Sequence, residues 1–136
     1  MNIIYFDNKF ILGKSDSKSS EFDILYYARK DIEKVIIPPF IVKIASHAFA
    51  NSKKLNKAEF VNNSKLKLIE KFSFSNTSIK SISFPPKVKI GNYAFSGCEK
   101  LQIIEFNDYR EPILFNKLFF TKNIYIIILI SHDKFY

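Results

Sequence analysis

NYAFSGCEKL (92–101) has two earlier counterparts in the chain, KFSFSNTSI (71–79) and SHAFANSKKL (46–55). Each carries a Phe (Phe49, Phe74, Phe95), an Asn or Gly two positions later (Asn51, Asn76, Gly97), then a small residue (Ser52, Thr77, Cys98). An Ile or Leu then opens a short apolar pattern. A motif returning at this interval is the mark of a solenoid, in which each unit stacks on the next to bury a shared core. Asn and Gly tolerate positive φ best, so their register predicts a left-handed turn in every unit. The residues before the Phe column are Ala48, Ser73 and Ala94, small each time. Small beside large is what closely stacked coils need to interdigitate.

Outward from this segment, the strand openings align. Ile32, Val35 and Ile37 correspond to Leu55, Ala58 and Phe60, to Ile79, Ile82 and Phe84, and to Leu101, Ile104 and Phe106. Apolar residues fall at positions 1, 4 and 6; positions 4 and 6 share one face of a strand, and 3 and 5 point the other way. Position 1 is predicted to turn inward through the bend. Pro38-Pro39 and Pro85-Pro86 end the ladder after two of these strands, because proline has no N–H to donate.

The predicted organisation is an N-terminal hairpin and polar linker (1–20), a lead-in unit (21–31), four repeats (32–54, 55–78, 79–100, 101–123) and an incomplete terminal strand (124–136). Ile3 to Phe6 and Phe10 to Leu12 form the hairpin, and GKSDSKSS (13–20) the linker. Residues 107–120 lack the Phe and Asn/Gly columns. IYIIILI (124–130) is read as a further strand with Ile124, Ile127 and Leu129 inward and Ile126, Ile128 and Ile130 outward. The expected fold class is an α/β-type solenoid: one short parallel strand per 22–24-residue unit, largely β, with turns and short helical segments.

The pattern of apolar positions followed by Pro, then apolar-x-x-Ile-Gly, then Ala-Phe-x-x-Cys, resembles the BspA-type leucine-rich repeat. IKSISFPPKVKIGNYAFSGCEKL (79–101) matches best. Residues 32–54 carry Ala45 where Gly is usual, and 55–78 carry Phe-Ser-Phe in place of x-Ala-Phe. Residues 22–49 resemble the entry into such arrays in protozoan members. The resemblance implies a surface protein that binds host or extracellular-matrix components or other cells. It also implies partner contacts on the outward positions of a concave parallel sheet: Lys34, Ile36, Lys57, Glu59, Ser81, Ser83, Ile103 and Glu105. This stripe is mixed in charge, unlike a phosphate-binding track, and ordinary solvent-facing residues are an equal reading of it.

Composition bounds the alternatives. The net charge of +8 invites a polyanion such as a glycosaminoglycan or nucleic acid. Yet only Arg29 and Arg110 are arginines, and the lysines lie scattered, the longest block being Lys53-Lys54. A solvated Lys-rich surface is therefore preferred, and no specific nucleic-acid partner is expected. Fifteen Phe and no Trp fit a core residue reused in each unit. Cys98 stands alone, which rules out an internal disulfide and marks it as a buried turn residue. No signal peptide is read at the N-terminus, and no apolar run reaches the roughly 18 residues of a membrane span. Localisation is left open, with the cell surface implied by the resemblance alone.

Little points to catalysis. His47 and His132 have no metal-ligand spacing to other donors, and His47 shares the column of Phe72 and Tyr93 as a packing residue. Glu59 and Glu105 are expected about 10 Å apart, two strand spacings, with nothing else to support sugar hydrolysis. The expectation is a non-enzymatic interaction scaffold without cofactor or metal that binds a protein. The runners-up are a Lys-rich polyanion binder and a truncated array without a partner.

Overall fold

Each repeat from residue 32 to residue 100 is a coil with two strands and a turn-rich third side. The structure, a computed structural model, describes residues 2–107 and 127–131. After the hairpin strands β1 (Ile3–Phe6) and β2 (Phe10–Gly13) comes β3 (Ile24–Ala28). The coils then alternate a longer strand with a two-residue one: β4 (Lys34–Ile37), β5 (Lys43–Ile44), β6 (Lys57–Phe60), β7 (Leu68–Ile69), β8 (Ser81–Phe84), β9 (Lys89–Ile90), β10 (Ile103–Asn107). The last described strand is β11 (Ile127–Ser131). The two-residue strands β5, β7 and β9 line up in parallel with β3, and the antiparallel hairpin extends that sheet as β1-β2-β3. The longer strands form the other side, as β4-β6 and β8-β10-β11.

The core follows the predicted columns. Ile32, Leu55, Ile79 and Leu101 are buried, as are Val35, Ile37, Ala58, Ile82, Phe84, Ile104 and Phe106. Phe49, Phe74 and Phe95 are fully buried and stack in a file: Phe49 on Phe74 at 4.9 Å and 2°, Phe74 on Phe95 at 5.4 Å and 4°. The small column Ala48, Ser73 and Ala94 is wholly buried beside them. Cys98 is buried too, its Sγ donating to Phe74 O at 3.0 Å. Burial pushes its thiol pKa up, only partly offset by Thr77 and the Asn76 backbone. A thiol held protonated in this way is a poor nucleophile.

The expected short helical segments are not helices. The Phe segment is a run of turns: Ala48 N–H donates to Ala45 O, Ala50 N–H to His47 O and Ser52 N–H to Phe49 O. Among the described residues there is no helix. The cause is two left-handed residues in each Phe segment, each of which breaks helical propagation. Asn51, Asn76 and Gly97 are one set (φ 63, 57 and 74°), as the sequence predicts; His47, Phe72 and Tyr93 are the other (φ 65, 58 and 59°). With its φ and ψ so fixed, the segment bonds coil to coil through its backbone. Phe49 N–H donates to Ser73 O (2.7 Å), Asn51 N–H to Ser75 O (2.8 Å), Phe74 N–H to Ala94 O (2.9 Å) and Asn76 N–H to Ser96 O (2.9 Å). Asn76 Nδ2 also donates to Asn51 Oδ1 at 2.9 Å. Gly97 ends that side-chain ladder, since a Cβ there would lie 2.0 Å from Asn76 Oδ1.

The terminal strand sits one residue away from its expected register. Ile127 pairs with Ile103 and Leu129 with Glu105, so both occupy outward columns, and they are 58% and 46% exposed. Ile128 and Ile130 align instead with the core columns of Ile104 and Phe106. A one-residue slip exchanges the two faces of a strand, and a run of five branched apolar residues carries no alternation to fix which face is which. Ile124 and Ile126 lie outside the described residues, as does most of the repeat 101–123.

The loop of residues 14–20 is tied down by Asp23, whose Oδ1 accepts Ser15 N–H (2.8 Å) and whose Oδ2 accepts Ser15 Oγ–H (2.6 Å). Burial alone would raise the Asp23 carboxyl. The Ser15 bonds and the Lys43 charge outweigh it, leaving the pKa below the ordinary value. A carboxylate depressed on folding adds stability above its unfolded pKa of about 3.9 and loses it as pH falls through the folded value. Asp23→Asn is therefore expected to lower stability at pH 7 and to narrow its difference from wild type below about pH 4, as read by urea melts across pH.

Two neighbouring core residues should respond in opposite ways. Phe74 lies between two stacked rings, and Phe74→Ala should cost about 3–5 kcal/mol. Ser73 Oγ is buried without a hydrogen-bond partner in a column otherwise filled by Ala. Ser73→Ala is expected to be neutral or to stabilise by about 1 kcal/mol in the same denaturation experiment.

Candidate interaction surface

The long strands point two residues each away from the core. Lys34 and Ile36, Lys57 and Glu59, and Ser81 and Ser83 are exposed, Ile103 is exposed, and Glu105 is half-buried. Strand pairing arranges them in two rows. Lys34 aligns with Lys57 and Ile36 with Glu59; Ser81 aligns with Ile103 and Ser83 with Glu105. Local bonds hold several of these groups. Lys57 Nζ pairs with Glu59 Oε1 at 2.7 Å, and Ser83 Oγ–H donates to Glu105 Oε1 at 2.7 Å. Asn107 Nδ2 donates to Ser83 Oγ (3.1 Å) and to Phe84 O (2.8 Å). The Lys57–Glu59 pair is solvent-exposed and holds geometry more than it adds stability.

The hydrogen-bonded ladder is interrupted between β6 and β8, in the middle of this face. The cause lies in the preceding turn. Four positions lead from Asn51 to Leu55 and from Gly97 to Leu101, but three from Asn76 to Ile79. At the regular junctions Asn56 N–H donates to Glu33 O and Gln102 N–H to Lys80 O, second residue of one opening to second residue of the last. At the short junction Ser78 N–H donates to Leu55 O instead (2.9 Å), one residue out of phase. The side chains cannot follow, because a one-residue shift would expose Ile82 and Phe84. Core packing keeps Phe84 against Phe60 (6.0 Å between ring centroids), and the backbone ladder gives way.

A groove of about 790 Å³ lies over this seam. The small residues Ser81 and Ser83 are part of its lining, with Lys57 and Glu59 from β6 and Ile103 and Glu105 from β10. Six of the eight residues expected from the sequence therefore share one groove. Lys34 and Ile36 line a smaller depression of about 380 Å³ with Lys57, Glu59 and the hairpin residues Asp7 and Lys9. Asn62, Asn107 and Leu129 also line the large groove and were not foreseen. Asn62 follows β6 where two other repeats have a proline pair, and comparing those columns would have exposed it.

His47 does not pack in the core. Its ring is exposed and stacks on Phe72 (5.2 Å, 18°), which in turn meets Tyr93 at 5.5 Å, so this column forms an aromatic file outside the core. A bulky side chain at positive φ costs about 1 kcal/mol or more, and stacking along the file offsets part of that cost. Among the described residues, no three His, Cys, Asp or Glu side chains converge as metal ligands would. No described helix is long and apolar enough to cross a membrane.

Among solved structures the chain is similar to a leucine rich cell surface protein from Faecalibacterium prausnitzii A2-165, at 28% identity and a TM-score of 0.53 over 57% of this chain and 20% of that one. It is also similar to the pneumococcal vaccine antigen PcpA (16% identity, TM-score 0.49, 92% of this chain and 36% of that one). A leucine-rich repeat protein from Bacteroides ovatus ATCC 8483 matches at 16% identity and a TM-score of 0.40, over 74% of this chain and 48% of that one. The chain thus spans less than half the length of each. No curated protein sequence matches it. The family profile described as the BspA type leucine rich repeat region (6 copies) matches residues 22–134. With that span covering most of its length, the chain belongs to the BspA-type leucine-rich repeat family.

Proposed function

We propose that this chain is a non-enzymatic scaffold that binds a protein partner on the long-strand face, at the cell surface. The observation that carries the reading is the groove over the β6–β8 seam. It gathers Lys57, Glu59, Ser81, Ser83, Ile103 and Glu105 in one concavity, with Lys34 and Ile36 beside it. A face of apolar, hydroxyl and opposite-charge groups suits a protein surface matched in shape and hydrogen bonding. It suits a polyanion poorly, since Glu59 and Glu105 would repel one. The likeness to a leucine rich cell surface protein supports the location.

The test is binding to a panel of immobilised extracellular-matrix proteins, with surface labelling of intact cells that make the protein. Wild type is expected to bind at least one panel member and to keep most of that binding at about 0.5 M salt, where exposed charge pairs are screened. Lys34→Glu with Lys57→Glu should weaken it at least tenfold. Unchanged binding by that variant, or no label on intact cells, contradicts the proposal.

A further inference from the structure

Four lysines that are separate in sequence meet on the short-strand side of two successive coils. Lys65 and Lys67 flank the buried Leu66 just before β7; Lys87 and Lys89 flank the buried Val88 at the start of β9. All four side chains are exposed. Adjacent coils lie about 4.8 Å apart where they are hydrogen-bonded, and Lys89 N–H donates to Lys67 O at 2.9 Å. None of the four ammonium groups has an ion pair or hydrogen bond among the described residues. The neighbouring carboxylate, Glu70, faces Lys43 at 3.6 Å. Across the ladder Lys89 lies opposite Leu68, so Lys67 and Lys89 are near neighbours rather than a directly opposed pair; their like charges repel, and an anion bridging them would relieve that repulsion.

We propose that Lys65, Lys67, Lys87 and Lys89 form a binding site for a linear sulfated polysaccharide, on the short-strand side of the coil. The site is ammonium-only: Arg29 is engaged by Asp31 elsewhere. Ammonium groups make point contacts, which match sulfates strung along a chain. Single-stranded nucleic acid would call for exposed aromatic rings on which bases stack; the exposed Tyr5, Tyr26 and Tyr27 lie at the N-terminal end of the described chain, and the rings of His47, Phe72 and Tyr93 stack on one another. The scattered lysines of the sequence thus become one patch through the 22-residue offset of two Lys-x-Lys pairs, 65–67 and 87–89.

The experiment is titration of a heparin oligosaccharide at several salt concentrations, with duplex DNA of matched charge as the second probe. Lys67→Glu with Lys89→Glu should weaken heparin binding at least tenfold and flatten its salt dependence by about two charge contacts. Lys53→Glu with Lys54→Glu makes the same change in net charge at the turn before β6 and should stay within about threefold of wild type. Circular dichroism of both variants should match wild type. Equal losses in the two variants, absence of wild-type binding at about 50 mM salt, or tighter binding of DNA than of heparin overturns the proposal.

Discussion

Register between consecutive coils is the constraint on which this structure depends. A coil of this length cannot bury its own apolar residues, so its core is supplied by its neighbours. The Phe49–Phe74–Phe95 file and the backbone bonds of the same segment fix how each coil lies on the next. Two left-handed residues in each Phe segment make those bonds geometrically available. Asn or Gly occupies one such position; His47, Phe72 and Tyr93 occupy the other, where side-chain stacking offsets backbone strain.

The same constraint explains the candidate site. On the Phe side the register is continuous through every described coil. On the long-strand side one missing residue between Asn76 and Ile79 sets the backbone against the core, and the core prevails. Burying Ile82 and Phe84 is worth roughly 1.5–3 kcal/mol each, more than one or two exposed ladder bonds at about 1 kcal/mol. A local shortage of one residue is thus converted into a groove without loss of the fold. The outward side chains vary in charge and polarity from coil to coil, while those beneath them stay apolar.

Much of this was legible from the chain itself. Columns of Phe, of small residues and of Asn or Gly fixed the repeat, because each reflects a steric demand made once per coil. The outward positions were legible by alternation from Ile82 and Phe84, or from Ile104 and Phe106. The terminal strand was not: from Ile126 to Ile130 every residue is apolar, and alternation is silent. His47 fell in the right column, but that column is a partly exposed file at positive φ, which residue type alone argues against. The interrupted ladder was present as an uneven count from turn to strand. Its consequence required knowing that Ser78 bonds to Leu55. The lysine patch was likewise hidden, because proximity across coils is set by an offset of one repeat rather than by closeness in the chain.

The central claim, that a one-residue deficit separates backbone register from side-chain register at β6–β8, is tested most directly by native-state hydrogen exchange. β8 amides directed at β6 should exchange markedly faster than those joining β4 to β6 or β8 to β10. They should slow to the level of those pairs when one residue is inserted between Ser78 and Ile79. Uniform protection across all three junctions in the wild-type protein would contradict the account.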